Sequence, residues 1–225
     1  MNHGPATLDV RTPPTTQAGS LVLASGSPLV AVLCVSAKSI YKQLAGVECY
    51  DMRRDVRSFA GGMPVVAHPP CRSWSAKCAH QAKPLPGEKE LGPLCVEWLR
   101  KCGGVLEHPA NSRLFAHCGL PRPGEARDGL WSIAVSQAWW GHSITKNTWL
   151  CFAHISPRAV EFPMVLHNGA RDHRRWQLMS RAKRSATPRA MAEWLVASAA
   201  LANAAVSNAV NGSNTPDGTS NGVAL

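Results

Sequence analysis

The fold of this chain is decided by one stretch, which reads Pro64-Val65-Val66-Ala67-His68-Pro69-Pro70-Cys71-Arg72-Ser73-Trp74-Ser75. The apolar residues at its start predict a buried strand, which the two prolines end. Proline fixes φ and removes a backbone donor, so Pro69 and Pro70 form a stiff platform for the thiol of Cys71. The thiol therefore follows a strand end, which is where α/β proteins place their reactive groups.

A second stretch ends in the same way, with a carboxylate in place of the thiol. It reads Gly103-Gly104-Val105-Leu106-Glu107-His108-Pro109 and predicts a further strand. If the two strands are neighbours, Cys71 and Glu107 can act on one bound ring. His68 and His108 flank these two groups. A protonated imidazole there would lower the pKa of the thiol, whereas a structural histidine in a strand explains the same residues equally well.

Strands and helices alternate along the chain, which indicates an α/β fold. We predict three layers, with a Rossmann-like, mainly parallel sheet flanked by helices. The predicted strands are 29–35, 47–50, 64–68, 104–107 and 148–153, and the predicted helices are 39–44, 88–101, 129–140 and 188–202.

Length and composition predict a single α/β domain between two tails. The chain has 225 residues, and we place the domain at 21–202. Segment 1–20 is rich in Pro, Thr and Gly, and 203–225 is rich in Asn, Ser, Gly and Ala, so both are predicted to be disordered. No apolar run reaches the ~18 residues that a membrane span needs. The polar N-terminus lacks a signal peptide and the eight cysteines form no CxxC pair, so we expect a reducing cytoplasm.

The positive charge of the chain points to a polyanionic partner. The formal net charge is +10, and the basic residues are densest between Arg171 and Arg189. A tryptophan and several hydroxyls lie among them, as in surfaces that bind DNA phosphates. A solvated basic loop is the alternative. The residues predicted to contact the DNA backbone are Arg174, Arg175, Arg181, Lys183 and Arg184.

Taken in order, these motifs resemble the DNA cytosine-5 methyltransferases, particularly the small phage-type members. Pro69–Ser75 is similar to the Pro-Pro-Cys-Gln-x-x-Ser nucleophile loop, and Glu107-His108-Pro109 is similar to Glu-Asn-Val, written Glu-Asn-Pro in phage relatives. Segment 140–150 resembles the phage-type segment that ends Lys-x-Thr-x-Leu-Trp. Segment 181–188 resembles the closing Arg-Ser-x-Thr. The resemblance covers about 29–196.

The resemblance implies a cysteine nucleophile that adds to C6 of a cytosine taken out of the DNA stack. Cys71 would be that nucleophile, and Glu107 would hold N3 and the exocyclic amine. A raised pKa would let the Glu107 carboxyl donate a proton to the ring. The residues implied to line the base site are Pro70, Ser75, His108, Lys146 and Thr148. A phage-encoded enzyme of this kind would work in the cytoplasm of its host cell.

The family uses S-adenosylmethionine, and the implied cofactor residues here are Ser36, Lys38 and Asp51. The turn after the first strand contains no glycine, which the family uses to let its backbone approach the donor. The side chains of Lys38 and Tyr41 would narrow a donor pocket, or Lys38 at a helix start would hold a phosphate. No insertion for target recognition precedes the final helix, so a protein partner could supply that recognition.

Three functions therefore stay open from the sequence. The first is a cytosine-5 methyltransferase-like enzyme acting on DNA. The second is an enzyme on the same scaffold that uses another donor or a free nucleotide. The third is a DNA-binding remnant without turnover. No metal is expected, because Cys71, Cys78 and His80 lack the usual Cys-x2–4-Cys spacing of zinc sites.

Overall fold

The computed structural model describes residues 29–76, 82–163 and 177–212. Its strands are β1 (Val30–Leu33), β2 (Val47–Cys49), β3 (Val65–Ala67), β4 (Gly104–Pro109), β5 (Ala126–Arg127), β6 (Leu130–Ser136) and β7 (Asn147–Ala153). Its α-helices are α1 (Leu91–Cys102), α2 (Arg113–His117), α3 (Arg181–Ser185) and α4 (Arg189–Gly212). Short 3-10 helices include Ile40–Gln43, Arg72–Trp74 and Gln137–Trp140.

The strands form one mixed sheet in the order β2-β1-β3-β4-β7-β6-β5. β1 pairs in parallel with β2 and β3, and β3 pairs in parallel with β4, over three residues each. The longer ladders are antiparallel: β4 pairs with β7 over six residues and β6 pairs with β7 over seven. A short antiparallel ladder joins β5 to β6. The prediction of a mainly parallel, Rossmann-like sheet was therefore wrong.

The error arises from segment 129–140, which was predicted as a helix. The segment forms β6, followed by the 3-10 helix Gln137–Trp140. No crossover helix separates β6 from β7, and consecutive strands joined in this way run antiparallel. Both strands therefore extend the sheet as an antiparallel half beside β4. The mixed sheet follows from replacing one predicted helix by a strand.

Helices cover both faces of the parallel half. α1 packs on one face, where Cys95 and Leu99 meet Ala67 and Leu106. α4 packs on the other face, where Met191 joins the buried cluster that contains the strand valines. Strands buried on both faces read as continuous apolar runs, which is why β1 and β3 were recognisable. The described helices include none that is both long and apolar enough to span a bilayer.

The last helix is longer than predicted. Its backbone runs from Arg189 to Gly212, whereas the sequence predicted a helix over 188–202. Its backbone therefore continues beyond 203, the predicted start of the C-terminal tail. The predicted N-terminal tail, 1–20, and residues 213–225 lie outside the described residues.

Gly104 brings β3 and β4 into close contact. Its φ is +118°, and a Cβ at this position would lie 2.0 Å from the backbone oxygen of Val65. Only glycine fits such an approach in such a conformation. The preceding Gly103 ends α1, and its backbone N–H donates to the Leu99 carbonyl over 2.9 Å. Two glycines thus end the helix and set β4 against the strand that leads to Cys71.

The strand directions bring several chain segments to one edge of the sheet, here called the site edge. β1 to β4 run parallel and end there. β7 runs antiparallel to β4 and begins there, and β6 runs antiparallel to β7 and also ends there. The segments that follow β3, β4 and β6, and the segment that precedes β7, therefore lie along the same edge.

Candidate functional site at the edge of the sheet

Cys71 lies on a short loop after β3. It is the residue before the 3-10 helix Arg72–Trp74, and its carbonyl accepts a hydrogen bond from the Trp74 N–H over 3.1 Å. Arg72 anchors the loop through two contacts of 2.8 Å with the carboxylate of Glu88, which is buried. Cys71 itself is exposed. The loop therefore holds an accessible thiol on a fixed backbone.

Glu107 lies on β4 with its side chain turned toward the face that α4 covers. The alternation of the strand places it on the same face as Val105, and only 12% of its side chain is exposed. The Nδ1 of His68 donates to Oε2 over 2.9 Å, and the Nε2 of Gln137 donates to Oε1 over 3.0 Å. Both carboxylate oxygens are therefore held by side chains from other strand ends.

The Glu107 carboxyl is ionised at neutral pH. Burial would raise its pKa, but the hydrogen bond and charge of His68, with the charges of Lys146 and His108, outweigh burial and lower the pKa to about 2. The sequence had suggested a raised pKa that would let Glu107 donate a proton to a ring. The structure gives the opposite direction because a histidine and a lysine face the carboxylate.

Cys71, Glu107 and Lys146 interact electrostatically at the site edge. Although Cys71 is exposed to solvent, neighbouring atoms partly desolvate its sulfur, and this desolvation together with the negative charge of Glu107 raises the pKa of the thiol, while Lys146 and Arg72 act in the opposite direction. Burial lowers the pKa of Lys146, and the charges of Glu107 and Cys71 oppose that effect. The structure thus brings together the thiol, the carboxylate and the amine that the sequence proposed for one site.

Two residues that the sequence analysis did not assign to the base site complete the surroundings of Glu107. The hydroxyl of Tyr41 lies 2.9 Å from the Nε2 of His68. The amide of Gln137 bridges Glu107 and Thr148, since its Nε2 also donates to the Thr148 Oγ1 over 3.1 Å. Gln137 was missed because it lay inside a predicted helix. Tyr41 had been considered only as an obstacle to a methyl donor.

Lys146 links this site to the basic C-terminal segment. Its Nζ donates to the carbonyl oxygens of Ser185 and Ala186 over 3.2 Å each, at the end of α3. Lys183, in the same helix, is exposed. Arg184 is half-buried. The side chain of Arg181 and both predicted phosphate contacts Arg174 and Arg175 lie outside the described parts of the structure.

The other residues predicted to line the base site have different positions. Thr148 is completely buried beneath Gln137. Ser75 is half-buried at the end of the 3-10 helix that follows Cys71. Pro70 lines a separate cleft, described next. His108 is completely buried, and the alternation of β4 places it on the opposite face from Glu107, so it does not share a surface with that carboxylate.

A cleft of about 240 Å³ lies at the ends of β1 and β2, and its lining includes Asp51, Asp55, Pro70 and Leu91. Asp51 pairs with Lys42 and accepts the backbone N–H groups of Arg53 and Arg54 over 2.8 and 3.0 Å.

The other two predicted cofactor residues, Ser36 and Lys38, are exposed and do not line this cleft. Tyr41 does not line it either, because its side chain is buried and turned toward His68. The structure therefore brings only Asp51 of the predicted cofactor residues to the cleft.

The described residues that line this cleft fit S-adenosylmethionine poorly. Its volume is below the range of about 300–1,000 Å³ that is usual for ligand pockets. The Asp51 carboxylate is already engaged on both oxygens, and Asp55 pairs with Arg57. The turn after β1 places Cys34 in the left-handed region with a φ of 61°, and its sulfur lies 3.5 Å from that of Cys95. A side chain thus stands where a glycine would leave space for a donor.

A larger cleft of about 600 Å³ lies farther along the site edge, between the end of β6 and the start of β7. Its lining includes two indoles, Trp139 and Trp149, with the polar side chains of Asn111, Asn147 and Thr145. Thr148 also lines this cleft, so the hydrogen-bonded bridge through Gln137 connects it to Glu107.

Metal ligation has no candidate in the described ranges, which contain no group of three or more His, Cys, Asp or Glu side chains that could hold an ion. Cys78 and His80 lie in the gap between residues 76 and 82, outside those ranges.

Comparisons with known proteins give no match: no family model fits the chain, and no curated protein or solved structure is significantly similar to it.

Proposed function

We propose that this protein is an enzyme that modifies a pyrimidine base in DNA through a covalent adduct with Cys71, in the manner of the cytosine-5 methyltransferases. The observation that supports this most is the convergence of Cys71, Glu107 and Lys146 at one edge of the sheet, where Glu107 and Lys146 affect each other's pKa and both affect the pKa of Cys71. A nucleophile, an ionised hydrogen-bond acceptor and a cation at one site are the groups that addition to a polar ring requires.

The first step is addition of the Cys71 sulfur to C6 of the base. A bond forms between sulfur and C6, the π electrons of C5=C6 move to C4–C5, and the π electrons of C4=N3 move to N3. N3 then takes up the proton that the thiol gives up, so the step is balanced without a cofactor. The Glu107 carboxylate accepts from the exocyclic amine of cytosine, and Lys146 stabilises the thiolate as it forms.

DNA is the substrate that the charge distribution favours. Lys146 joins the site to the carbonyl groups at the end of α3, and α3 carries the exposed Lys183. A formal net charge of +10 adds a general attraction to phosphate. A base taken out of the helix stack would reach Cys71 while its flanking phosphates lie along this basic segment. A protein partner for target recognition remains part of the hypothesis.

A second candidate function is recognition of an extruded base without turnover. One observation favours it: burial and the Glu107 charge raise the pKa of the Cys71 thiol, so the sulfur is protonated in the free protein. A protonated thiol beside an ionised carboxylate could contact a base without attacking it. The two functions differ in whether a sulfur–carbon bond forms.

The test is covalent trapping on an oligonucleotide that contains pyrimidin-2-one in place of one cytosine. This base lacks the exocyclic amine, so a thiolate adduct at C6 accumulates without a methyl donor. We expect an increase in intact mass equal to one oligonucleotide, located on the peptide that contains Cys71. Cys71→Ser should give no adduct, and Cys118→Ser, at a half-buried free cysteine, should react like the wild type.

A second oligonucleotide, with 5-fluorocytosine, tests the donor. Fluorine blocks release from C5, so this adduct becomes stable only after a group has been transferred to C5. A stable adduct that requires S-adenosylmethionine would show methyl transfer. An adduct with pyrimidin-2-one alone would indicate a different donor. DNA binding without any adduct on either probe would overturn the enzyme and support base recognition.

A further inference from the structure

Glu107 is the end of a chain of hydrogen bonds that runs into the core. The Tyr41 hydroxyl lies 2.9 Å from the Nε2 of His68, and the Nδ1 of His68 lies 2.9 Å from the Glu107 Oε2. The tyrosine side chain is 1% exposed, and the side chains of His68 and Glu107 are 13% and 12% exposed. The three residues come from three different segments, after β1, after β3 and within β4.

The geometry determines which nitrogen of His68 carries the proton. An ionised carboxylate only accepts, so Nδ1 must donate to Glu107. In the neutral imidazole, Nε2 then accepts the O–H of Tyr41. Burial and the charge of Glu107 raise the pKa of the Tyr41 phenol, which keeps it a donor. The tyrosine therefore selects one tautomer of the histidine, and that tautomer presents an N–H to the carboxylate.

We propose that Tyr41 and His68 are positioning residues for Glu107, and that they hold its carboxylate ionised and oriented to accept a hydrogen bond from the N3–H that the base acquires in the Cys71 adduct. This inference rests on the function proposed above. The carboxylate stays ionised throughout, so His68 and Tyr41 keep their own protons. Tyr41 thus orients the imidazole, the imidazole orients the carboxylate, and the carboxylate contacts the base.

The surrounding groups agree with an ionised acceptor. His68 after β3, Gln137 after β6 and Lys146 before β7 face Glu107, and the charge of His108 acts on it from the opposite face of the same strand. Glu107 in turn acts on Tyr41 after β1 and on Cys71. Because these groups keep the carboxylate ionised, it can accept an N–H and has no proton to donate.

The direct test of the arrangement is nitrogen NMR on the wild-type protein labelled at histidine. In the neutral imidazole of His68, Nδ1 should carry the proton and Nε2 should have the shift of an acceptor. In Tyr41→Phe the Nε2 loses its donor, and the two tautomers should become mixed. A wild-type His68 protonated only at Nε2 would overturn the inference, whatever the protein does to DNA.

The test of the role combines the rate of adduct formation with the pyrimidin-2-one oligonucleotide and the titration of Glu107 followed by carbon NMR. His68→Leu removes the donor and should slow the reaction about 10²-fold. The Glu107 carboxyl should then titrate at a pH about 1 unit higher than in the wild type, because it loses its hydrogen bond. His68→Gln supplies an N–H again and should recover part of the rate. Tyr41→Phe should slow the reaction about 10-fold.

Tyr50→Phe is the matched control, since Tyr50 is also buried and donates its hydroxyl to a carboxylate, that of Glu48 over 2.8 Å. It should leave the rate and the titration of Glu107 unchanged. Equal effects of Tyr41→Phe and Tyr50→Phe, or a loss of rate in His68→Leu without any change in the titration of Glu107, would contradict a positioning role. If the wild type forms no adduct, both the proposed function and the role of Tyr41 and His68 in it fail. The NMR measurement on His68 stands apart from that outcome, because it does not depend on reaction with DNA.

Discussion

The site edge has two halves, here called the base half and the donor half after the functions proposed for them, and their charged side chains are paired differently. In the base half, formed by the ends of β3, β4 and β6 and the start of β7, Glu107 is held by groups from distant segments and faces Cys71 and Lys146. In the donor half, at the ends of β1 and β2, Asp51 pairs with Lys42, nine positions away, and Asp55 pairs with Arg57, two positions away. The base half therefore keeps reactive groups directed at one another, whereas the donor half neutralises its charges locally.

The close approach of β3 and β4 should be the most sensitive feature of the base half. Gly104→Ala would place a Cβ 2.0 Å from the Val65 oxygen at a positive φ. We expect a loss of at least about 4 kcal/mol in the free energy of unfolding, measured by urea denaturation. Gly119→Ala, also at positive φ but with nothing within 4 Å of its Cβ, should cost about 1–2 kcal/mol. Equal losses would mean that the contact does not hold the two strands together.

The buried charge of the base half should show in acid stability. The folded pKa of Glu107 is about 2, below the ordinary value of 4.5, so its contribution is complete above about pH 4.5. It is lost as the pH falls toward 2, by on the order of 3 kcal/mol. Glu107→Gln should flatten this part of the stability curve. Glu97→Gln, in an exposed pair with Lys101, should leave the curve as it is. A wild-type curve that is already flat would contradict the ionised, buried carboxylate.

The rate of reaction with the pyrimidin-2-one probe should depend on the base half and not on the donor half. Glu107→Gln removes the carboxylate that accepts from the N3–H of the adduct and should slow adduct formation about 10²-fold. Asp51→Asn removes a charge that pairs with Lys42 and with the Arg53 backbone N–H, and it should change the rate less than about 2-fold. The rate is measured by gel shift under denaturing conditions. Comparable losses in the two variants would show that the halves are not distinct in function.

Lys146 should have a smaller effect, exerted through charge. Lys146→Met removes a cation that lowers the pKa of both Cys71 and Glu107, so both values should rise. Alkylation of the Cys71 thiol should then require higher pH, and adduct formation at pH 7 should slow about 10-fold. Lys101→Met, at an exposed helix position, is the control. If the pH dependence of Cys71 alkylation is the same in Lys146→Met and in the wild type, Lys146 does not act on the thiol.

The sequence was sufficient for the parallel half of the sheet because its strands are apolar runs ended by proline or glycine. Val65–Ala67 and Val105–Leu106 are buried on both faces, and no other pattern competes with that interpretation. The same signals placed Cys71 and Glu107 at neighbouring strand ends. The residues Trp131, Ile133 and Val135 of β6 were misassigned to a helix, although they alternate along one face of the strand.

The groups that set the properties of Glu107 could not be predicted from sequence because they act across the fold. His68 lies 39 positions away from Glu107, and Gln137 lies 30 positions away. Neither their distance to the carboxylate nor the resulting fall in its pKa follows from a local pattern. Tyr41 shows the same limit, since its buried hydroxyl meets His68 only once β1 and β3 have paired.

The central claim is that Cys71 and Glu107 form one site, and thiol reactivity tests it most directly. The measurement is the pH dependence of Cys71 alkylation by iodoacetamide, read from the mass of its peptide, in wild type and Glu107→Gln. Because the Glu107 charge raises the pKa of the thiol, its removal should move the profile to lower pH and speed alkylation at pH 7. Identical profiles in the two proteins would show that the carboxylate does not act on the thiol, and would contradict the account.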